Sequence, residues 1–400
     1  MTSRTRDARW AMVGCLGLVL AGCNSNSGMS VPAPDFSAAP VSPVQSQPLA
    51  GPTTATVGET LGTGPVRVGL ILPLTQNGAP SPIGLSLRNA AQLAIDESGS
   101  NDITLMVMDD RNSPDGAAQA AQAEIGAGAE LILGPLLAAD AREVGRVAKA
   151  ANRPVIAFST DEGVASPGVY LLSFLIETYA DKIVDYAVSR GKKTFAVLAP
   201  QSDYANVAIG EFQQAAQRAG ARVVTVARYA PGQPQSAIGE ITSTPGGFDA
   251  LFIPEQAEGM NAVASALTSA GVKTQILGTG VWNDGRVLRL PALQGAWFAA
   301  PDNAGFIAFA QRYKAKFNSE PLRLATLSHD AVSLAAALAR TQGAQRYSQS
   351  VLTNASGFNG IDGVFRFRPD GPNDRGLAVM QISAGTASVI SPAPPRFSGS

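Results

Sequence analysis

Residues 66–97 read VRVGLILPLTQNGAPSPIGLSLRNAAQLAIDE, and their order decides the fold. VRVGLILPL is a run of β-branched and aliphatic residues, which predicts a strand buried on both faces. From Leu85, LSLRNAAQLAIDE brings apolar residues back at helical spacing, which predicts a helix. A buried strand that feeds a helix is the repeating unit of a parallel sheet. The unit recurs: ITLMVMDD then DGAAQAAQAEIGA, and ELILG then AREVGRVAKAA before PVIAFS. A second series opens after YLLSF with ETYADKIVDYAVSR and KTFAVLAP and runs through NVAIGEFQQAAQRAG, ARVVTVARY, DALFIPE, GMNAVASALTSAG and TQILG. Two such series predict two α/β lobes, each a parallel sheet flanked by helices. GFIAFAQRYKAKF and TLSHDAVSLAAALAR are helical. DGVFRFRP and GLAVMQIS close the chain as two strand-like pieces, with Asp370-Gly371 turning between them.

The 400 residues are 45% hydrophobic and 15% charged, with a formal net charge of −1, which suits a globule with sizeable cores. No basic stripe stands out, so a nucleic-acid partner is not expected.

The N-terminus carries a more specific signal. Arg4, Arg6 and Arg9 precede WAMVGCLGLVLA, an apolar run too short for a permanent span. Leu20-Ala21-Gly22-Cys23 then matches a bacterial lipobox. The expectation is a signal peptide over 1–22, lipid on Cys23, and an exported, membrane-anchored, periplasm-facing protein. Asn24, in place of a retaining Asp, predicts the outer membrane if the cell is Gram-negative. Cys15 leaves with the signal, so neither a disulfide nor a Cys-based metal site is expected. Residues 24–64, rich in Pro, Ser, Ala, Gly and Gln without Lys or Arg, are expected to follow Cys23 as a disordered tether. The last ten residues, SPAPPRFSGS over 391–400, read as a flexible tail.

Three stretches together resemble the leucine/isoleucine/valine-binding family, the type 1 periplasmic-binding fold. The opening stretch looks like its first strand, Gly-containing loop and helix. KTFAVLAPQSDYANVAIGEFQQAAQRAGARVV resembles its second-lobe start, and GFNGIDGVFRFRPDG its C-terminal hairpin. The likeness runs from Val66 to about Ser383. It implies a two-lobed clamshell over 65–390, with three crossovers. Lobe 1 would hold about 66–173 and 300–345, and lobe 2 about 176–298 and 346–390. GPLL (134–137), taken with the lipobox, resembles the branch of penicillin-binding-protein activators, envelope lipoproteins that stimulate peptidoglycan synthases by contact.

The resemblance also directs attention to the loops that would face the cleft. In amino-acid-binding relatives two of them supply hydroxyls and helix amides to the ligand carboxylate. Here the first loop offers Pro135, which lacks an N–H, and apolar Leu136. Asp140 with Glu143 reads as a capping box that already uses the helix amides. The second loop, FSTDEG, keeps Ser159 and Thr160, or else forms a self-bonded turn. Tyr204 falls at an aromatic position of the family, Glu255 and Gln256 where relatives reach for an amine, and Thr279 and Trp282 on a further loop. These are the ligand-binding candidates; each also has a plain structural reading as cap, turn or core.

His329 is the only histidine and reads as structural. Asp109 and Asp110 start a turn, and GTGVWNDG lacks dinucleotide-site spacing. Neither enzyme nor metal nor cofactor chemistry is expected. Two functions remain. The preferred one is a regulator that contacts a peptidoglycan synthase. The alternative is the solute-binding protein of an ABC importer, meeting a permease and holding a small amino-acid-like ligand.

Overall fold

The structure is a computed structural model that describes residues 58–99 and 101–397. The expected signal peptide, Cys23 and the tether up to residue 57 lie outside the described residues.

The opening stretch forms the strand Val66–Leu72, buried except at Arg67, and the helix Pro82–Ser98. Ser81 starts the helix by accepting the Gly84 N–H, with Pro82 presetting φ. Gly99 ends it at φ 91°, a conformation that favours glycine.

The first lobe is a six-stranded sheet in the order Glu59–Leu61, Ile103–Asp109, Val66–Leu72, Leu131–Leu133, Val155–Ala157, Val169–Leu171. All its pairings are parallel except that of the first strand. Each face carries a core. Val68, Leu70 and Leu72 pack with Leu327, Ala331 and Ala335 of the helix Ala325–Thr341. Ile71 and Met106 pack with Ala117, Ala121 and Val144 on the other side.

The second lobe is a seven-stranded sheet: Arg222–Tyr229, Thr194–Pro200, Ala250–Phe252, Gln275–Gly278, Trp297–Ala300, Ala378–Ser383, Thr386–Ser391. Its first five strands are parallel and its last two antiparallel. Phe195 and Val197 face Phe212 and Ile183, while Ala196 and Leu198 face Met260 and Val263. Helices thus cover both faces of two sheets, as continuous apolar strands require. The chain passes between the sheets at 172–175, 301–302 and 376–377.

Three boundaries differ from expectation. Glu59–Leu61 is no tether: it pairs with Ile103–Asp109, Leu61 is buried, and Glu59 pairs with Arg88. Residues 346–375 belong with the first lobe, because Leu352, Phe365 and Phe367 sit in its core. The strand Gly363–Phe367 pairs with Phe358–Gly360 and Asn373–Arg375 in a small antiparallel sheet, not with Ala378–Ser383. Only the last two strands join the second lobe. The expected tail is also partly tied: Ser391 ends a strand, and the Arg366 guanidinium lies 4.6 Å from the centre of the Phe397 ring.

Candidate functional site

Strand C-termini gather where the two lobes meet, the usual ligand position in open α/β sheets. A cavity of ≈ 260 Å³ lies there. The first lobe contributes Thr160, which follows the strand Val155–Ala157, together with Arg323 and Leu324 at the start of Ala325–Thr341. The first crossover gives Phe174 and Ile176, and the second gives Pro301. The second lobe adds Tyr179, Tyr204, Gly280, Val281 and Asn283. The walls are mainly apolar and aromatic, and no carboxylate is among them. Larger hollows of ≈ 380 and ≈ 690 Å³ open at strand N-termini near Arg153 and near Lys273, and another of ≈ 440 Å³ opens near Ser265; all lie away from the crossovers.

Several contacts fix the walls. Tyr204 and Thr279 share a 2.6 Å hydroxyl hydrogen bond, and burial pushes the Tyr204 phenol up to about 12. The backbone of Gly280 runs against Tyr179, where an added Cβ would fall 2.5 Å from the ring. Asn283 and Asn303 exchange side-chain hydrogen bonds of 2.6 and 3.1 Å across the second crossover. Arg323 grips the buried Asp362 with both terminal nitrogens, and Thr326 donates to the same carboxylate at 2.6 Å. Its guanidinium also lies 4.8 Å from the centre of the Phe174 ring and 4.6 Å from that of Phe306.

Of the sequence candidates, Thr160 and Tyr204 line the cavity, and Thr279 stands behind Tyr204 as its partner. The others do not line it. Ser159 is buried and accepts the Asp161 N–H within its own turn. Glu255 accepts from the Tyr229 hydroxyl at 2.7 Å and from the Gln256 N–H, while the Gln256 side chain is exposed. Trp282 is fully buried and donates to the Glu255 carbonyl, so it packs the second-lobe core. Pro135 is buried and its carbonyl accepts the Phe158 N–H. Leu136 packs on the first-lobe core.

The capping box at Asp140 does not exist. The helix Ala138–Ala150 starts one residue after Leu137, its N-cap, which makes no side-chain cap bond. Asp140 is therefore the third helical residue, turned inward and buried, with Oδ2 unpartnered. Burial raises its pKa. Glu143 pairs with Arg146 instead.

His329, on the helix Ala325–Thr341, bonds Glu97 of the helix Pro82–Ser98 at 3.0 Å. Burial alone would lower its pKa, but Asp330 and Glu97 raise it above the ordinary histidine range. Among the described residues, no group of three or more His, Cys, Asp or Glu is placed to hold a metal ion.

Two lobes joined by three crossovers around a walled cavity define a ligand-binding clamshell. A family model described as "Periplasmic binding protein" matches residues 65–387, and the chain belongs to that family. A protein from Rhodospirillum rubrum, assigned as a branched-chain amino acid ABC transporter, has a similar structure: TM-score 0.73 at 20% identity, covering 81% of this chain and 99% of that one. A branched-chain amino acid transporter substrate-binding protein from Streptococcus pneumoniae, in complex with isoleucine, matches at TM-score 0.56 and 20% identity, over 82% and 99% of the two chains. An ABC-transporter solute-binding protein from Rhodopseudomonas palustris BisB5, in complex with 3,4-dihydroxy benzoic acid, matches at TM-score 0.61 and 21% identity, over 84% and 97%. No curated protein matches the chain.

Phe174, Tyr179 and Arg323 are site residues that sequence reasoning missed. None sits in a motif, and each reaches the cavity through a crossover or a helix start.

Proposed function

We propose that the protein captures a small organic solute in the interlobe cavity and serves as the binding component of an ABC-type importer. The observation that carries this reading is the cavity itself, apolar-walled and set at the strand C-termini beside the first two crossovers. Relatives of similar structure hold an amino acid or an aromatic acid, which suits walls of this kind. Thr160 and Tyr204 supply polar contacts at the rim. The activator reading has weaker support: besides the lipobox and the GPLL loop it drew on Asp140 consuming the helix amides, and Asp140 does not cap that helix. The lipobox at Cys23 fits either role and would hold the protein at a membrane; it lies outside the described residues.

A thermal-shift panel of amino acids and small carboxylic acids tests the reading. A true ligand at a hundredfold excess over Kd stabilises the folded state by about 2.7 kcal/mol. Gly280→Leu should abolish that shift, because its side chain must occupy the space beside Tyr179. A shift that survives Gly280→Leu would place the ligand elsewhere. No shift across the panel, with a peptidoglycan synthase retained on the immobilised protein, would reinstate the activator.

A further inference from the structure

Arg375 lies at the third crossover, in the strand Asn373–Arg375, with only 5% of its surface exposed. None of its three guanidinium nitrogens has a hydrogen-bond partner, and it makes no ion pair among the described residues. Removing one partner of a buried ion pair costs several kcal/mol, so an unpaired buried guanidinium calls for a counter-charge. Its surroundings show where that charge belongs. The guanidinium is 4.9 Å from the centre of the Phe174 ring, and Phe174 is a wall of the cavity. Arg375 also acts on Tyr179, another wall: burial raises that phenol's pKa, while Arg323 and Arg375 both pull it down.

A second unpartnered donor shares its strand. Asn373, two residues back and on the same face, gives its Oδ1 to the Ser173 N–H, which leaves Nδ2 buried without a partner. Asp374 points the other way and binds Arg366. Arg323, the other cation by Phe174, is already neutralised by Asp362. Arg375 and Asn373 do not themselves line the cavity. The Arg375 guanidinium lies between the Phe174 wall and the Phe365 ring, 5.7 Å from the latter. With Arg323 neutralised, it leaves one uncompensated positive charge next to that wall. No carboxylate lines the cavity to receive an ammonium group, and Glu255 is occupied by Tyr229 and the Gln256 N–H.

We propose, resting on the solute-capture reading, that the ligand is a small monocarboxylate with an apolar or aromatic body and no ammonium group, its carboxylate received by Arg375 and Asn373. Hydroxyl loops that grip a zwitterion are replaced here by one buried cation, and discrimination follows from charge. A neutral amide of the same shape leaves the guanidinium unpaired. An amino acid brings an ammonium that finds no carboxylate on the walls and must shed its water.

The test is calorimetric titration of the full chain with benzoate, 3-methylbutanoate, benzamide, L-leucine and inorganic phosphate. One or both of the two acids should bind, with benzamide and leucine weaker by about a hundredfold, the scale of losing one partner of a buried charge pair. Arg375→Met should lose acid binding to a similar degree. Its ligand-free melting temperature should stay level or rise, because an unpaired charge has been replaced by an apolar chain. A purely structural arginine would instead melt lower on replacement. Leucine or benzamide binding as tightly as benzoate overturns the ligand class but leaves solute capture standing, as does undiminished benzoate binding by Arg375→Met. Phosphate alone binding overturns it in favour of an inorganic anion. Silence from every probe, together with a flat response to the wider panel, removes both readings. The wild-type preferences decide the matter even where the variant fails to fold.

Discussion

Gly134→Ala is expected to lower stability by about 2–5 kcal/mol, from backbone conformation and steric overlap together. Gly134 ends the strand Leu131–Leu133 at φ +76°, and a Cβ there would fall 2.1 Å from the Ile71 carbonyl oxygen of the neighbouring strand. The left-handed conformation alone costs a non-glycine residue about 1–2 kcal/mol. The overlap adds about 1–3 kcal/mol or more, because backbone atoms of a central strand must move. They cannot give way cheaply: the Gly134 N–H is bonded to the Ile156 carbonyl at 2.8 Å, and Pro135 holds the Phe158 N–H at 2.9 Å. Gly78 is the matched control. It has φ +77° but nothing within 4 Å of an added Cβ, so Gly78→Ala should cost only about 1 kcal/mol. Urea unfolding of the three proteins measures both values. Equal losses for the two variants would show that the contact with Ile71 carries no weight.

How far this could be read in advance depends on whether the information was local. Val66–Leu72 and Pro82–Ser98 were legible because apolar runs, a Ser cap, Pro82 and Gly99 all lie within one short stretch. Glu59–Leu61 was not. Three residues with two exposed carry no periodicity, and the strand exists only because Ile103–Asp109 offers an edge. Gly363–Phe367 reads as a strand, but its partners do not follow from its sequence. Phe365 and Phe367 are drawn to the first lobe by its core, while Ala378–Ser383 passes on to the second.

The site divides in the same way. Thr160 and Tyr204 were reachable because each follows a legible strand, and Thr279 stands within bonding distance of Tyr204. Asp140 misled because Asp followed three residues later by Glu fits a capping box. A start at Ala138 rotates that carboxylate inward. Phe174, Arg323 and Arg375 had no local signal at all. Crossovers bring them together: the Ser173 N–H reaches Asn373 across 200 positions of chain. The charge logic beside the Phe174 wall is a property of those encounters, not of any motif.

Buried carboxylates give the second large effect: stability should fall as pH rises from about 4 to 7. Asp110 is fully buried, and its pKa is held at about 7, first by burial, then by the nearby Asp140 and Asp109 charges, against the N–H bond from Asn112. A group raised in the folded state keeps its full stabilising contribution below its unfolded value, near 3.8, and loses it as pH climbs through the folded value. A shift of this size corresponds to about 2–4 kcal/mol over that window. Glu124 acts in the same direction. It is fully buried where Gly69 lacks a side chain, its Oε1 takes the Leu70 N–H, and burial holds its pKa well above the ordinary value. Asp140, raised by burial, adds to the trend, and the raised His329 loses its contribution above neutrality. Glu97 and Asp249, both lowered, oppose it only below about pH 4.5, the ordinary carboxylate range. Asp110→Asn isolates the contribution of Asp110. The amide keeps an oxygen for the Asn112 N–H and places a donor where Oδ2 has no partner. The variant should therefore melt several degrees above wild type at pH 8, roughly 2–4 °C per kcal/mol for a domain of this size. At pH 4 the two should be nearly equal. Parallel melting curves from pH 4 to 8 for wild type and variant would show that Asp110 does not change its protonation on folding.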